Sequence, residues 1–318
     1  MYRYAAKRSV LSVVTVFLVS VMTFVLTHVL PGSAARMVLG MQATPERVEA
    51  VRQELGLNRP LWVQYFDWIT GFLTGDLGNS FLYDTPVSEL LVDRLPPSLL
   101  LAATAVTIAV LTAIPLGIIA SRHQNQPVDV AISTFTFAGI SVPNFFWGIV
   151  FILVFAKWMN LLPPSGYAAP WDAPMQFLTF IVMPAAALGW SLLAYITRMT
   201  RSSMLETYRE NYITTARAKG VSEEGIVYRH ALRNAMLPTL TVIAFQVGYA
   251  FGGIIIIEQI FSWPGIGSLL FSAILERDLP VIQAAVIAIT VVFVGSNFIV
   301  DMLYAFLDPR IRYGGEGS

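Results

Sequence analysis

Residues 214–257 read TTARAKGVSEEGIVYRHALRNAMLPTLTVIAFQVGYAFGGIIII. The first part carries Arg217, Lys219, Arg229, His230 and Arg233 beside the adjacent acids Glu223 and Glu224. From Asn234 to Ile257 there is no Asp, Glu, Lys or Arg at all. A hydrocarbon core of about 30 Å takes roughly 20 apolar residues of helix to cross. The second part is therefore long enough to span a bilayer, and the first part is too polar to enter one.

Working outward, five more uncharged runs of that size occur, at 9–35, 95–121, 130–156, 173–197 and 279–300. Each is rich in Val, Ile, Leu, Phe and Ala. The chain has 318 residues, of which 56% are hydrophobic and only 13% charged. A soluble domain carries about 25% charged residues. The reading is an all-α integral membrane protein, a single membrane domain with six transmembrane helices at 9–30, 98–120, 130–156, 174–197, 235–257 and 280–303. Arg3, Lys7 and Arg8 precede the first run as in a signal peptide. That run exceeds the roughly 7–15 residues of a signal h-region, so it reads as a retained span.

Lys+Arg and Asp+Glu balance at 20 each, which gives no support for a nucleic-acid partner. Their placement is informative. With the N-terminus inside, the segments 1–8, 122–129, 198–233 and 304–318 face the cytoplasm and hold thirteen of the 20 Lys and Arg. The short outside loops hold only Lys157 and Arg277. The positive-inside rule then places both termini and the 198–233 loop in the cytoplasm.

The outside loop 31–97 is too long for a connector. Thr44 reads as an N-cap with Pro45 and Glu46 in the first turn, Val48, Val51 and Leu55 at helical spacing, and Gly56 as a C-cap. Trp62, Tyr65, Phe66, Trp68, Ile69 and Phe72 follow. They suit either a helix at the headgroup level, where Trp and Tyr concentrate, or a small cap packed on itself. The outside loop 157–172, with Pro163, Pro164 and Pro170, reads as ordered.

In the loop 198–233, Gly220 ends a helical segment begun at Tyr208. Ser222 caps a second, short helix with Glu223 and Glu224 in its first turn. A span is then entered at Pro238. Two readings fit, a docking element or a positive anchor that only sets topology.

Chemistry is sparse. Cysteine is absent, and the histidines at 28, 123 and 230 lie far apart. No metal constellation, catalytic pair, phosphate loop, H-E-x-x-H or G-x-S-x-G is present. An intramembrane enzyme thus lacks its nucleophile and base. Glu258 and Asp301 stand at the edges of uncharged runs, which suits structural pairing more than proton relay. A stand-alone ion-coupled secondary transporter is the alternative function, and it lacks an acid at mid-span. Gly248 and Gly252 form a G-x-x-x-G, and Gln246 and Asn297 are polar residues deep in spans. Ser141 and Asn144 flank Pro143. These six residues suit either helix packing or a water-filled path.

The stretch at 214–238 resembles the cytoplasmic-loop motif of ABC importer permeases. It is most similar to the dipeptide/oligopeptide/nickel permease subfamily, in which ARAKG leads into RHALRN and a proline. GDLGNSF (75–81), VPNFFWG (142–148), FSWPGIG (261–267) and LYAFLDPRIRYG (303–314) fit the same subfamily, in order along the chain. Thr214-Thr215-Ala216 replaces the usual Glu-Ala-Ala, and the Gly220–Pro238 spacing is longer than in sugar or amino-acid permeases. Both departures are features of this subfamily.

The resemblance implies a type I importer permease fold in the plasma or inner membrane and a chain that binds no cofactor itself. Its implied partners are a second homologous permease, two cytoplasmic ATPases that bind ATP and Mg, an extracytoplasmic binding protein and membrane lipid. The implied cargo is a peptide, nickel chelate, glutathione or oligosaccharide. The helix after Gly220 would be the coupling helix. Ala216 and Gly220 would keep its turn tight, and Val221, Ser222, Glu223, Glu224, Gly225 and Ile226 would form the docking surface. Arg217, Arg229 and Arg233 would pair with partner acids or lipid phosphate, and Pro238 would open the span.

Overall fold

The computed structural model describes residues 2–29, 44–54 and 58–307. The expected cap at Leu55 and Gly56, the start of the 31–97 loop, and Arg310 and Arg312 of the C-terminal stretch lie outside these residues. The helices are α1 (Tyr2–Val29), α2 (Pro45–Glu54), α3 (Leu61–Thr74), α4 (Val87–Arg122), α5 (Pro127–Ser141), α6 (Asn144–Trp158), α7 (Pro174–Tyr208), α8 (Asn211–Ala218), α9 (Glu223–Ile260), α10 (Ile266–Glu276) and α11 (Leu279–Leu307). The pairing of Asn79 with Pro86 is an isolated bridge.

Among the described residues five helices are long and apolar enough to cross a membrane, and six spans result if the bent pair α5–α6 counts as one. At 1.5 Å per residue a helix of 35 residues runs about 52 Å, well beyond the hydrocarbon core. The helices α4, α7 and α9 reach that class, with 36, 35 and 38 residues. They carry their charged ends out of the apolar layer. The helix α4 starts at Val87, eleven residues before the span read at 98–120, and continues through Pro96 and Pro97 into that span.

The run 130–156 is not one straight span. Two helices meet at 108° around Val142 and Pro143. Val142 is extended, with φ −128° and ψ 137°, as the residue before a proline prefers. Pro143 has no N–H for the carbonyl one turn back. Beyond the bend α6 winds into a π-helical turn over Ile152–Trp158. The indole of Trp190, from α7, fills the crook. It stacks on Trp147 at 4.5 Å and touches Phe135 at 4.8 Å, and its Nε1 donates to the Phe135 carbonyl at 3.3 Å.

The chain forms two compact units. The larger unit covers residues 1–5, 99–263 and 296 onward. Its main core joins Leu101, Met183, Leu188, Ile254, Ile257, Phe261 and Trp263. Helix α7 lies in its middle. A Cβ at Gly189 would sit 2.8 Å from the Ala105 carbonyl oxygen, so only glycine permits that approach of α7 to α4. The FSWPGIG stretch supplies Phe261 and Trp263, both fully buried. The Gly166 amide donates to the Phe261 carbonyl at 3.0 Å, and Tyr167 meets the Trp263 ring edge-on at 4.9 Å. This explains the order in the 157–172 loop.

The second unit covers residues 6–98 and 264–295. Thr44 begins α2, accepting from the Val48 amide at 2.9 Å through its carbonyl and from the Arg47 amide at 3.4 Å through its hydroxyl. Helix α3 packs along α1. Tyr65 and Ser20 share a hydrogen bond of 2.8 Å, and Phe24 meets Tyr65 and Trp68 at 5.4 and 5.8 Å. Its other face exposes Trp62, Phe66 and Leu73. The aromatic segment is therefore not a cap packed only on itself: one face lies on α1 and the other leaves Trp62, Phe66 and Leu73 exposed. GDLGNSF makes the turn after α3, and Ser80 Oγ donates to the buried Asp278 carboxylate, which also accepts from the Leu82 amide at 3.1 Å.

Candidate functional site

The charged insert builds a compact hairpin. Helix α7 ends at Tyr208, and Glu210 opens α8 in extended conformation. The amides of Lys219, Gly220 and Val221 donate to the carbonyls of Thr215, Arg217 and Ala216 at 3.1, 2.9 and 3.2 Å. Gly220 has φ +79°, a left-handed conformation that side chains other than glycine resist. Ser222 then caps the next helix, its Oγ accepting from the Gly225 amide at 3.2 Å. Arg217 closes the hairpin with two hydrogen bonds to Glu223, 2.8 and 3.1 Å long. That guanidinium holds the Glu223 carboxyl below the usual carboxylate range. The pair lies in the charged segment before Asn234, outside the apolar run, and both side chains are exposed.

One face of the hairpin is apolar and hidden. Ile213, Ile226, Val227, Ala231 and Ala235 form a cluster with Ile118 of α4 and Met204 of α7. Burial of several such side chains, each worth about 1.5–3 kcal/mol, seats the hairpin firmly on the ends of two spans. The other face is open. Arg217, Gly220, Ser222, Glu223, Glu224 and Arg229 are exposed, and Val221 and Gly225 are partly so. Glu224 has no hydrogen bond or ion pair among the described residues.

Three expectations need correction. Ile226, assigned to the docking surface, is fully buried, because the apolar side of so short an insert must cover the span ends. Ala216 is buried too, and contributes its carbonyl to the turn. The short helix after Gly220 is not separate from the following span. It passes through a π-helical turn, Ile226–Ala231, into one helix, Glu223–Ile260. Pro238 lies inside that helix rather than at its entry. The extra residue of the π turn re-phases the helix without breaking it.

Sequence reasoning passed over Tyr228, whose ring is exposed on the open side, and Tyr212, whose hydroxyl accepts from Asn234 Nδ2 at 2.6 Å. It also passed over Asp129, the buried partner of Arg201. Two hydrogen bonds of 2.6 Å, from Nε and Nη2, join them. The signal was there: Asp129 is the sole acid between Asp93 and Asp172.

The residues proposed for a path scatter. Ser141 is exposed and donates to the Phe137 carbonyl at 2.9 Å. Gln246 and Gly248 are buried in α9, and Asn297 is half-buried in α11. Gly252 is exposed, with nothing within 4 Å of the place a Cβ would take, so the G-x-x-x-G does not form a helix seam. The close approach falls one residue later. A Cβ on Gly253 would meet Asn144 Nδ2 and Leu188 Cδ1, each at 3.1 Å. No cluster of His, Asp or Glu suited to a metal occurs among the described residues.

An apolar helical body and a charged hairpin continuous with a span are the features that relatives should share. Residues 113–313 match the family described as the binding-protein-dependent transport system inner membrane component, and residues 1–102 match its N-terminal counterpart. The chain belongs to that family. Among similar proteins, a putative peptide transport system permease protein of Brucella abortus (strain 2308) is 39% identical over 307 residues, covering 96% of this chain and 98% of its own. The glutathione transport system permease protein GsiC of Escherichia coli (strain K12) is 39% identical over 313 residues, covering 98% and 100%. A crystal structure of an amino acid ABC transporter with histidines shares the fold, with TM-score 0.50 at 15% identity over 70% of this chain and 94% of that one. This inner membrane component is an ABC importer permease and a multi-pass membrane protein. Its relatives are permease subunits, not the ATPases, and a stand-alone secondary transporter is the wrong class.

Proposed function

We propose that this permease carries peptides or a related solute such as glutathione. It works as half of a pathway completed by a second, homologous permease. An extracytoplasmic binding protein delivers the solute, and two cytoplasmic ATPases, which bind ATP and Mg, drive the cycle. The hairpin at 209–233 is the seat of one ATPase, with both termini on the same side. The supporting observation is mechanical. The hairpin is fixed by its apolar face, charged on its open face, and continuous with the span that runs to Ile260. Movement of a partner seated on Glu224, Arg229 and Tyr228 is therefore passed directly into α9, which stays helical through the π turn and past Pro238. ATP acts only through its different interaction with two states, and this contact is where the difference enters the membrane.

Glu223 is engaged inside the hairpin by Arg217, so Glu224 is the acid left for a partner. Charge reversal by Glu224→Lys lowers solute uptake by roughly tenfold or more, the effect of a like-charge clash at a docked surface. The chain stays inserted and the ATPase subunits still hydrolyse ATP. Undiminished uptake in this variant would sink the docking assignment. Competition of uptake by dipeptides against glutathione decides the cargo.

A further inference from the structure

A second feature of the larger unit is not used by this mechanism. Between α5 and α7 lies a cavity of about 180 Å³. Its polar lining is three hydroxyls, Ser133, Thr136 and Thr197, and two cations, Arg198 and Arg201. Phe137 and Ile140 give it an apolar wall. Thr197 is only 2% exposed, yet its Oγ1 has no hydrogen-bond partner among the described residues. A helical threonine ordinarily donates to the carbonyl a turn back, as Thr200 does to Ile196 at 2.8 Å. An unsatisfied buried hydroxyl costs about 1–3 kcal/mol, and a native structure retains one for a reason.

The charges around the cavity are unequal. Arg201 is neutralised by Asp129, whose carboxylate takes its Nε and Nη2 and leaves Nη1 uncommitted. Arg198 is exposed, lies 5.7 Å from the Tyr195 ring centre, and has no acidic partner among the described residues. The site therefore carries one net positive charge. Its depth is set by the sequence. The uncharged part of α7 stops at Thr197 and the arginines begin at the next residue, so the cavity stands where hydrocarbon gives way to headgroups.

We infer that this cavity binds a phosphate group carrying a single negative charge. An anionic phospholipid, whose headgroup lacks the cation that neutralises the phosphodiester of phosphatidylcholine, has that net charge, brings an acyl chain for the Phe137 wall, and is present at that depth. Basic pockets between spans are the usual seats of anionic headgroups. Arg198 and Arg201 Nη1 would hold the phosphate oxygens, and Thr197 Oγ1 would gain its missing acceptor. The bound lipid would bridge α5 and α7 beside the bend.

The test uses the full-length chain, with whatever subunits accompany it on extraction, in nanodiscs of phosphatidylglycerol or of phosphatidylcholine. Native mass spectrometry counts the lipids retained on release. Wild type keeps one phosphatidylglycerol, and the double variant Thr197→Val/Arg198→Gln keeps about tenfold less, the effect of one lost charge-assisted contact. Neither substitution touches the Asp129–Arg201 pair, and circular dichroism confirms that the variant is folded. Titration with inorganic phosphate separates the sources. Loss of the lipid to free phosphate assigns the same site to a soluble anion. Equal retention of both lipids by wild type with no phosphate binding, or unchanged retention in the folded variant, overturns the inference.

Discussion

The hairpin at 209–233 and the segment 127–158 invert what their compositions suggest. The hairpin is polar, glycine-containing and interrupted, features of a mobile loop. It is nevertheless welded to the ends of α4 and α7 by Ile213, Ile226 and Val227, and it runs into α9 without a break. The other segment is an unbroken apolar run across 130–156, the composition of a plain span. It bends by 108° and keeps its shape by external props, the Trp190 wedge in the crook and the Asp129–Arg201 pair at its start. Stiffness here follows backbone continuity and buried side chains, and hydropathy is a poor guide to it. In lipid the difference sharpens, because every carbonyl freed at a bend needs a partner.

The most forceful way to break the contrast is to put a joint into the stiff region. Ala231→Pro, at a fully buried position in the π turn, removes a helix hydrogen bond and adds a clash worth about 3 kcal/mol or more. Uptake is abolished, and the thermal midpoint of the detergent-solubilised chain falls clearly. Normal transport by this variant would show that continuity of α9 has no part in coupling. A smaller effect comes from taking a prop from the bent region. Asp129→Asn leaves Arg201 half its partners and costs about 2 kcal/mol in chemical denaturation, the scale of hydrogen bonds to charged groups. The loss stays below that of the proline variant; if it exceeds it, the salt bridge and not the helix is the chief support. The smallest change sharpens the origin of the bend. Pro143→Ala restores an N–H and alters stability by less than about 1 kcal/mol. Spin labels at positions 131 and 155 then report the distance across the bend. A distance unchanged from wild type assigns the shape to the Trp190 wedge, and a longer one assigns it to the proline.

Much of this was readable from residues alone. Absence of charge marked the spans, and Ser222 and Gly220 marked the cap and the turn, because both signals are local. The bend at Val142–Pro143 was visible as a proline, but its size was not, and Trp190, which fills the crook, lies 47 positions downstream. The burial of Ile226 was hidden for a similar reason. An isolated apolar residue in a charged insert looks like a docking contact until Ile118 and Met204 are placed beside it. Asp129 was passed over because its partner sits 72 residues away. The G-x-x-x-G misled because the pattern registers small residues without saying which one meets a neighbour, and that one is Gly253.

The Ser80–Asp278 contact has a consequence for how the protein is made. Its two ends are 198 residues apart, so the acceptor does not exist when the GDLGNSF turn is synthesised. At about 5–20 residues per second, the ribosome needs roughly 10–40 s to supply it. Through that interval the Ser80 hydroxyl, whose oxygen accepts locally from the Leu82 and Tyr83 amides at 3.2 and 2.9 Å, must donate to water or to another protein. Only the arrival of the last span can close the first unit of chain to be synthesised.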